Sequence, residues 1–204
     1  MIGSYNGRYS GSQVVKGQRD PRLANLLGTL STGITDAMYD STAMAAGLDG
    51  AASAALIALL DFVPSGSVRA LSQVVGLTHS GAVRVVDRLV ADGLVTRESG
   101  PDARSRSIAL TAHGVKTARQ IRLARERTVN RAIEALNDRE RATLTTLCER
   151  LIATITEHRL EQRRAGRPPV GGALCRMCDF GACGRERGAC PAATRVTALT
   201  AGER

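Results

Sequence analysis

Aromatic residues are nearly missing from this chain: they make up 2% of it, tryptophan is absent, and Phe62 and Phe180 are the only phenylalanines. A core without large rings must be assembled from Leu, Val, Ile and Ala, which suits packed helices better than an extensive sheet. Lysine is almost as scarce, occurring only as Lys16 and Lys116, so nearly all of the basic charge behind the net +9 is guanidinium. Guanidinium is always charged and matches phosphate bidentately, although a coding bias toward arginine gives the same composition. No apolar run is long enough to span a bilayer, and the N-terminus has no signal-peptide core. A cytoplasmic location with no membrane partner is therefore expected. In that compartment the five cysteines are expected as thiols or metal ligands rather than structural disulfides. Phosphate-cradling glycine loops, H-E-x-x-H and nucleophile elbows are also missing, so no enzyme is expected.

With 204 residues, 43% of them hydrophobic, there is material for one compact domain and an appendage. Residues 1–20 are rich in Gly and Ser and read as a disordered arm. Pro21 opens a long helix to about Ala46, with Leu23, Leu26, Leu27, Leu30, Ile34 and Met38 at helical spacing. A second apolar helix runs from Ala51 to about Phe62, ended by Pro64-Ser65-Gly66. Val68 to Val75 predicts a third, and Thr78 caps a fourth that ends near Asp92. Leu94 to Arg97 and Ser105 to Leu110 have strand composition and flank a polar Gly-Pro-Asp turn, which predicts a hairpin. Two long helices come next, about Ala112 to Leu136 and Arg139 to Arg164, with Asn137 or Asp138 as the cap between them. The expected organisation is a domain over 21–165, a linker over 166–173, a cysteine module over 174–195 and a flexible tail over 196–204.

The segment from Leu71 to Leu89 carries the strongest local signal. Two short helices meet at Gly76, and Leu71, Val75, Leu77, Ala82, Val85, Val86 and Leu89 fall on the faces that turn inward. His79, Ser80, Gly81, Val83, Arg84 and Arg88 remain on the open face of the second helix. Small and polar residues with arginines are the types that enter a major groove, and Val83 offers apolar contact to a thymine methyl. A solvated helical hairpin has the same pattern, and the two are separated by the β-hairpin C-terminal to it. Its arginines Arg97, Arg104 and Arg106 have the placement a minor-groove wing needs, with Asp102 positioned to hold the tip.

In this order of helices, with Asp87-Arg88-Leu89, Gly93-Leu94-Val95, Asp102-x-Arg104 and Leu110-Thr111-x-x-Gly114, the chain resembles the MarR family of transcriptional regulators. The resemblance extends from about Arg22 to Arg164, with Ala82 and Val83 departing from the usual larger and polar residues. It implies a mainly α winged helix-turn-helix with a small β-hairpin wing and long N- and C-terminal dimerisation helices. It further implies a homodimer on double-stranded DNA, mostly as a repressor, with Arg84 as the recognition-helix arginine and Arg104 in the minor groove. A small-molecule effector between the dimerisation helices and the DNA-binding lobe is implied too.

Beyond the resemblance lies Cys175-x2-Cys178-x4-Cys183-x6-Cys190. Four thiolates so closely spaced, with Gly181, Gly184 and Gly188 between them, are expected to bind one metal. Zinc is the first expectation, and an iron–sulfur cluster the alternative, since Cys190 is followed by Pro191. A metal-free thiol switch is a third reading. Cys148, between Leu147 and Leu151, is expected to be a buried small hydrophobe, and His113 and His158 to lie at the surface. The competing functions are a thiol or metal redox protein and a protein-interaction module without specific DNA binding.

Overall fold

The computed structural model describes residues 20–99, 106–167 and 171–201. The expected arm before Asp20, the wing tip with Asp102 and Arg104, and the last three residues lie outside the described set. Contacts divide the chain into a unit ending at Gly33 and a second unit from Ile34 onward.

Helix α1 (Pro21–Ala46) runs on from the first unit into the second. In the second unit, α2 (Gly50–Ile57) is alanine-rich because it is buried on every side, with Ala52, Ala54, Ala55, Leu56 and Ile57 shielded from water. Its N-cap is Asp49, whose carboxylate accepts from the Ala52 amide at 2.8 Å. The expected helix to Phe62 is confirmed in extent but not in type. Ala58–Phe62 forms a π-turn in which the Val63 amide reaches back to the Ala58 carbonyl at 2.8 Å. The wider turn re-aims Asp61 and Phe62, which meet Arg122 and Phe180 respectively.

Helices α3 (Val68–Val75) and α4 (His79–Ala91) pack on this layer. Strands β2 (Val95–Ser99) and β3 (Arg106–Leu110) pair antiparallel, with Val95 opposite Leu110 and Ser99 opposite Arg106. The expected turn at Ser65-Gly66 also supplies a short strand, β1 (Gly66–Ser67), which pairs with β3 and completes a three-stranded sheet in the order β1-β3-β2. Helix α5 (Ala112–Ala132) ends four residues earlier than expected, because Asn137 and Glu140 form a reciprocal capping box that starts α6 (Asp138–Arg164). Leu56, Ile57, Leu71, Val86, Leu89, Val95, Ile108 and Ile121 form the water-free centre, joining α2 to α5 and the sheet.

Two placements differ from the sequence reading. Residues 196–201 are not a tail: Pro191–Ala201 forms α7, which packs on α6 through an ion pair between Arg195 and Glu157 at 2.6 Å. Proline at the first helical position and the alanines after it favour this helix. Cys148 is exposed, because the face of α6 that carries it has no neighbour in the protomer. His113 and His158 are exposed, as expected.

The junction between the sheet and α5 depends on Gly114. The Thr111 hydroxyl donates to the Gly93 carbonyl at 2.8 Å and accepts from the Gly114 amide at 2.9 Å. This draws α5 so close to Leu94 that a Cβ on Gly114 would lie 1.9 Å from the Leu94 carbonyl oxygen. Backbone cannot yield there. Gly114→Ala is expected to destabilise the fold by about 3 kcal/mol or more, an overpacking loss read from denaturant unfolding.

Candidate nucleic-acid interface

The helix-turn-helix is fixed at each end by local chemistry. Ser67 caps α3 by accepting from the Ala70 amide at 3.1 Å. Gly76 ends α3 with φ of 79°, a left-handed conformation that costs glycine nothing, and its amide bonds the Ser72 carbonyl. Thr78 then caps α4 by accepting from the Gly81 amide at 3.1 Å. Leu71, Val75, Ala82, Val86 and Leu89 are buried, while Leu77 and Val85 are half-buried.

On the open face of α4, His79, Ser80, Arg84 and Arg88 are exposed, and Gly81 and Val83 are half-buried. The arginines grouped together in the sequence differ in their surroundings. Arg84 has no hydrogen-bond or ion-pair partner among the described residues. Arg88 binds Asp49 at 2.7 Å and lies 3.9 Å from Asp92. Arg97, on β2, binds Asp87 of α4 at 2.5 Å and so ties the wing to the helix. Arg106 begins β3, but its side chain is outside the described set, as is all of Arg104. Asp49 was missed as part of this surface: 39 residues separate it from Arg88, and only its capping role is local enough to leave a signal.

The cysteine segment is joined to this region through backbone. The Ala173 amide donates to the Val74 carbonyl at 2.8 Å, and Arg159 donates to the Gly172 carbonyl at 2.5 Å. A Cβ on Gly76 would lie 2.3 Å from the Gly172 nitrogen, and one on Gly172 would lie 2.4 Å from the Gly76 nitrogen. The strap from Gly171 to Ala173 therefore lies directly on the turn of the helix-turn-helix. Beyond it, Arg122 of α5 bridges Asp61 at 2.8 Å and Asp179 at 3.1 Å. The rings of Phe62 and Phe180 meet edge to face, 5.5 Å apart.

The thiols associate in two pairs, Cys175 with Cys178 and Cys183 with Cys190. The hydrogen bond from Cys175 holds Cys178 down to about 6 against the opposing effect of burial, with help from Arg125 and Arg185. The same bond, with burial, pushes the Cys175 thiol up, and burial raises Cys183. Among the described residues, no group of three or more His, Cys, Asp or Glu side chains gathers closely enough to hold a metal ion. The donor set itself, four soft thiols with left-handed turns at Gly184 and Gly188 between the last two, is the chemistry zinc and iron–sulfur clusters prefer.

A three-stranded wing beside an α3–turn–α4 pair defines a winged helix-turn-helix protein. Residues 46–105, which include the helix-turn-helix and the first wing strand, match the family model described as MarR family, and this segment belongs to that family. A MarR family protein from Bacillus stearothermophilus is 22% identical, with 66% of this chain and 93% of that one covered and a TM-score of 0.59. MarR from E. coli is 20% identical over 65% of this chain and 98% of its own, with a TM-score of 0.55. CouR from Rhodococcus jostii RHA1, solved bound to p-coumaroyl-CoA, is 21% identical over 66% and 92%, with a TM-score of 0.54. At these identities the likeness establishes the fold. No curated protein matches the chain. Among the described residues, no single helix is long and apolar enough to cross a membrane.

The two roles of Asp49 can be separated. Its ion pair with Arg88 joins side chains 55% and 47% exposed, where such pairs contribute little, whereas its capping bond satisfies a helix-end donor. Asp49→Asn keeps a good cap and is expected to change stability by less than about 1 kcal/mol, while Asp49→Ala loses about 1–2 kcal/mol, read from denaturant unfolding.

Proposed function

We propose that this protein is a sequence-specific transcriptional regulator, acting as a repressor, that binds double-stranded DNA as a homodimer. The observation that carries the reading is the face of α4. A small and polar surface on a capped, core-anchored helix presents Arg84 with no partner of its own, while Arg88 and Arg97 are engaged by carboxylates. In this reading His79, Ser80, Gly81 and Val83 approach base edges, Arg84 reads bases, and Arg88 and Arg97 position the helix and wing near phosphates. Arg104 and Arg106, at the wing, supply the minor-groove contact. Arg84→Ala is expected to relax sequence preference by about 1–3 kcal/mol at one base pair. Site selection from a random pool tests this, and recovery of the unaltered consensus by the variant removes Arg84 from the reading set.

The second copy is favoured by apolar surface that a lone protomer leaves in water. On α6, Leu147, Leu151, Ile152 and Ile155 are exposed. On α1, Leu23, Leu26, Leu27 and Leu30 are exposed as well. Soluble monomers rarely expose contiguous rows of this kind, and a two-fold partner also presents two recognition helices to a palindromic site. Sedimentation is expected to give a dimer at micromolar concentration, and a stable monomer contradicts the assignment. CouR carries p-coumaroyl-CoA, which favours a small-molecule effector here too. The place for it is a cleft of about 200 Å³ lined by Met38, Tyr39, Ala54, Arg125 and Met177.

Cys175, Cys178, Cys183 and Cys190 are the proposed metal ligands, with zinc as the ion and an iron–sulfur cluster as the alternative. Their support is the donor chemistry and spacing. The strap on Gly76 is the route by which the state of the module influences DNA binding. The division of the thiols into two pairs favours a second reading, a metal-free switch. There each pair yields two electrons and two protons to a peroxide, forming a disulfide and two waters. Elemental content of the purified protein separates these readings. One colourless metal per chain, lost in Cys183→Ser, supports zinc, colour supports the cluster, and metal-free protein supports the switch.

A further inference from the structure

Between α6, α7 and the turn at Leu174–Met177 lies a cleft of about 300 Å³. It shares only Leu174 with the smaller cleft beside Met38 and Arg125. Phe62, Leu160 and Val196 give it apolar walls, and Arg159, Arg163 and Arg185 give it a cationic side. No aspartate or glutamate lines it.

These guanidiniums are not neutralised by the protein. Arg159 donates to a backbone carbonyl, that of Gly172. Arg185 stacks over Phe180 and Phe62, with its guanidinium 4.5 and 5.3 Å from the ring centres. Arg163 has no hydrogen-bond or ion-pair partner among the described residues. The carboxylate of Glu157 on α6 is taken by Arg195. Burial, then the charges of Arg163 and Arg176, lower the pKa of Arg159, so positive charge is crowded at this end of α6.

Three guanidiniums beside an apolar recess of this volume form an arrangement for an amphipathic anion. The charged end is met by the arginines and the body is removed from water. We propose that this cleft binds a small organic carboxylate with an apolar body, and that its occupancy is communicated to the helix-turn-helix. The route is short. Arg159 holds the Gly172 carbonyl, and Gly172 lies against Gly76 at the turn between α3 and α4. A carboxylate that engages Arg159 competes with that carbonyl and loosens the strap.

Calorimetry on the full chain tests the cleft with octanoate and 4-phenylbutyrate as probes and 1-octanol as the uncharged control. Saturable binding of a carboxylate at one site per chain is expected, with octanol at least roughly tenfold weaker. Arg163 and Val196 are both exposed, so Arg163→Gln and Val196→Glu leave the fold intact, as circular dichroism will register. Each is expected to weaken carboxylate binding by about tenfold or more. Absence of binding by both carboxylates up to about 1 mM, or binding indifferent to both variants, overturns the site. The communication half rests on the DNA-binding reading. Saturating carboxylate is expected to change DNA affinity at least about fivefold, and an unchanged affinity overturns that half alone. Because the binding heats are read without DNA, failure of the cleft and failure of the DNA-binding assignment are distinguishable.

Discussion

The contact on which the rest of this structure depends is between two glycine backbones, Gly76 at the turn of the helix-turn-helix and Gly172 in the strap that leads to the cysteines. Neither position has room for a Cβ, and both adopt positive φ. Because packed backbone is not compressible, the strap cannot move without either leaving the turn or displacing it. The Ala173 amide on the Val74 carbonyl fixes the register of this contact, and Arg159 fixes its outer side. A segment of composition Gly-Gly-Ala, which as isolated sequence is a spacer, is here part of the domain.

The placement of arginine is the second organising feature. The chain has almost no lysine, yet its arginines do not form one uniform basic surface. Arg88 and Arg97 are committed to Asp49 and Asp87, which orient α4 and join it to the wing. Arg122 spans Asp61 and Asp179 and so fastens the cysteine segment to α5. Arg84 on α4 and Arg163 at the end of α6 have no partner among the described residues. Charge that structure has not already used is the charge that a ligand can meet, and this separates the reading residue of α4 from its positioning neighbours.

Much of the fold was legible because its signals are local. The capping hydroxyls of Ser67, Thr78 and Thr111, the left-handed Gly76 and the Asn137–Glu140 box each act within a few residues, and helices α3 and α4 follow from them. The inward faces of the two helices were legible from spacing for the same reason. The features that were not legible depend on residues far apart in the chain. The strand at Gly66–Ser67 exists only because β3 lies beside it, and the bond from Asp49 to Arg88 spans 39 residues. The π-turn at Ala58–Phe62 and the helix at Pro191–Ala201 are stabilised by the cysteine segment and by α6 respectively, so local composition alone read one as ordinary helix and the end of the other as tail. Cys148 was assigned to a core because its neighbours are leucines, but that stripe of α6 faces water in the protomer.

The link between the strap and the reading helix is tested most directly by the DNA affinity of Gly172→Ala, measured by fluorescence anisotropy at fixed salt. The added Cβ meets the Val74 carbonyl oxygen and the Gly76 nitrogen at 2.3 and 2.4 Å, so the strap must lift, while every side chain on the open face of α4 is unchanged. A shift in affinity of about fivefold or more with unaltered helix content is the result that a mechanically coupled turn requires. Affinity equal to that of the unaltered protein contradicts the coupling and leaves the cysteine segment as a structural appendage.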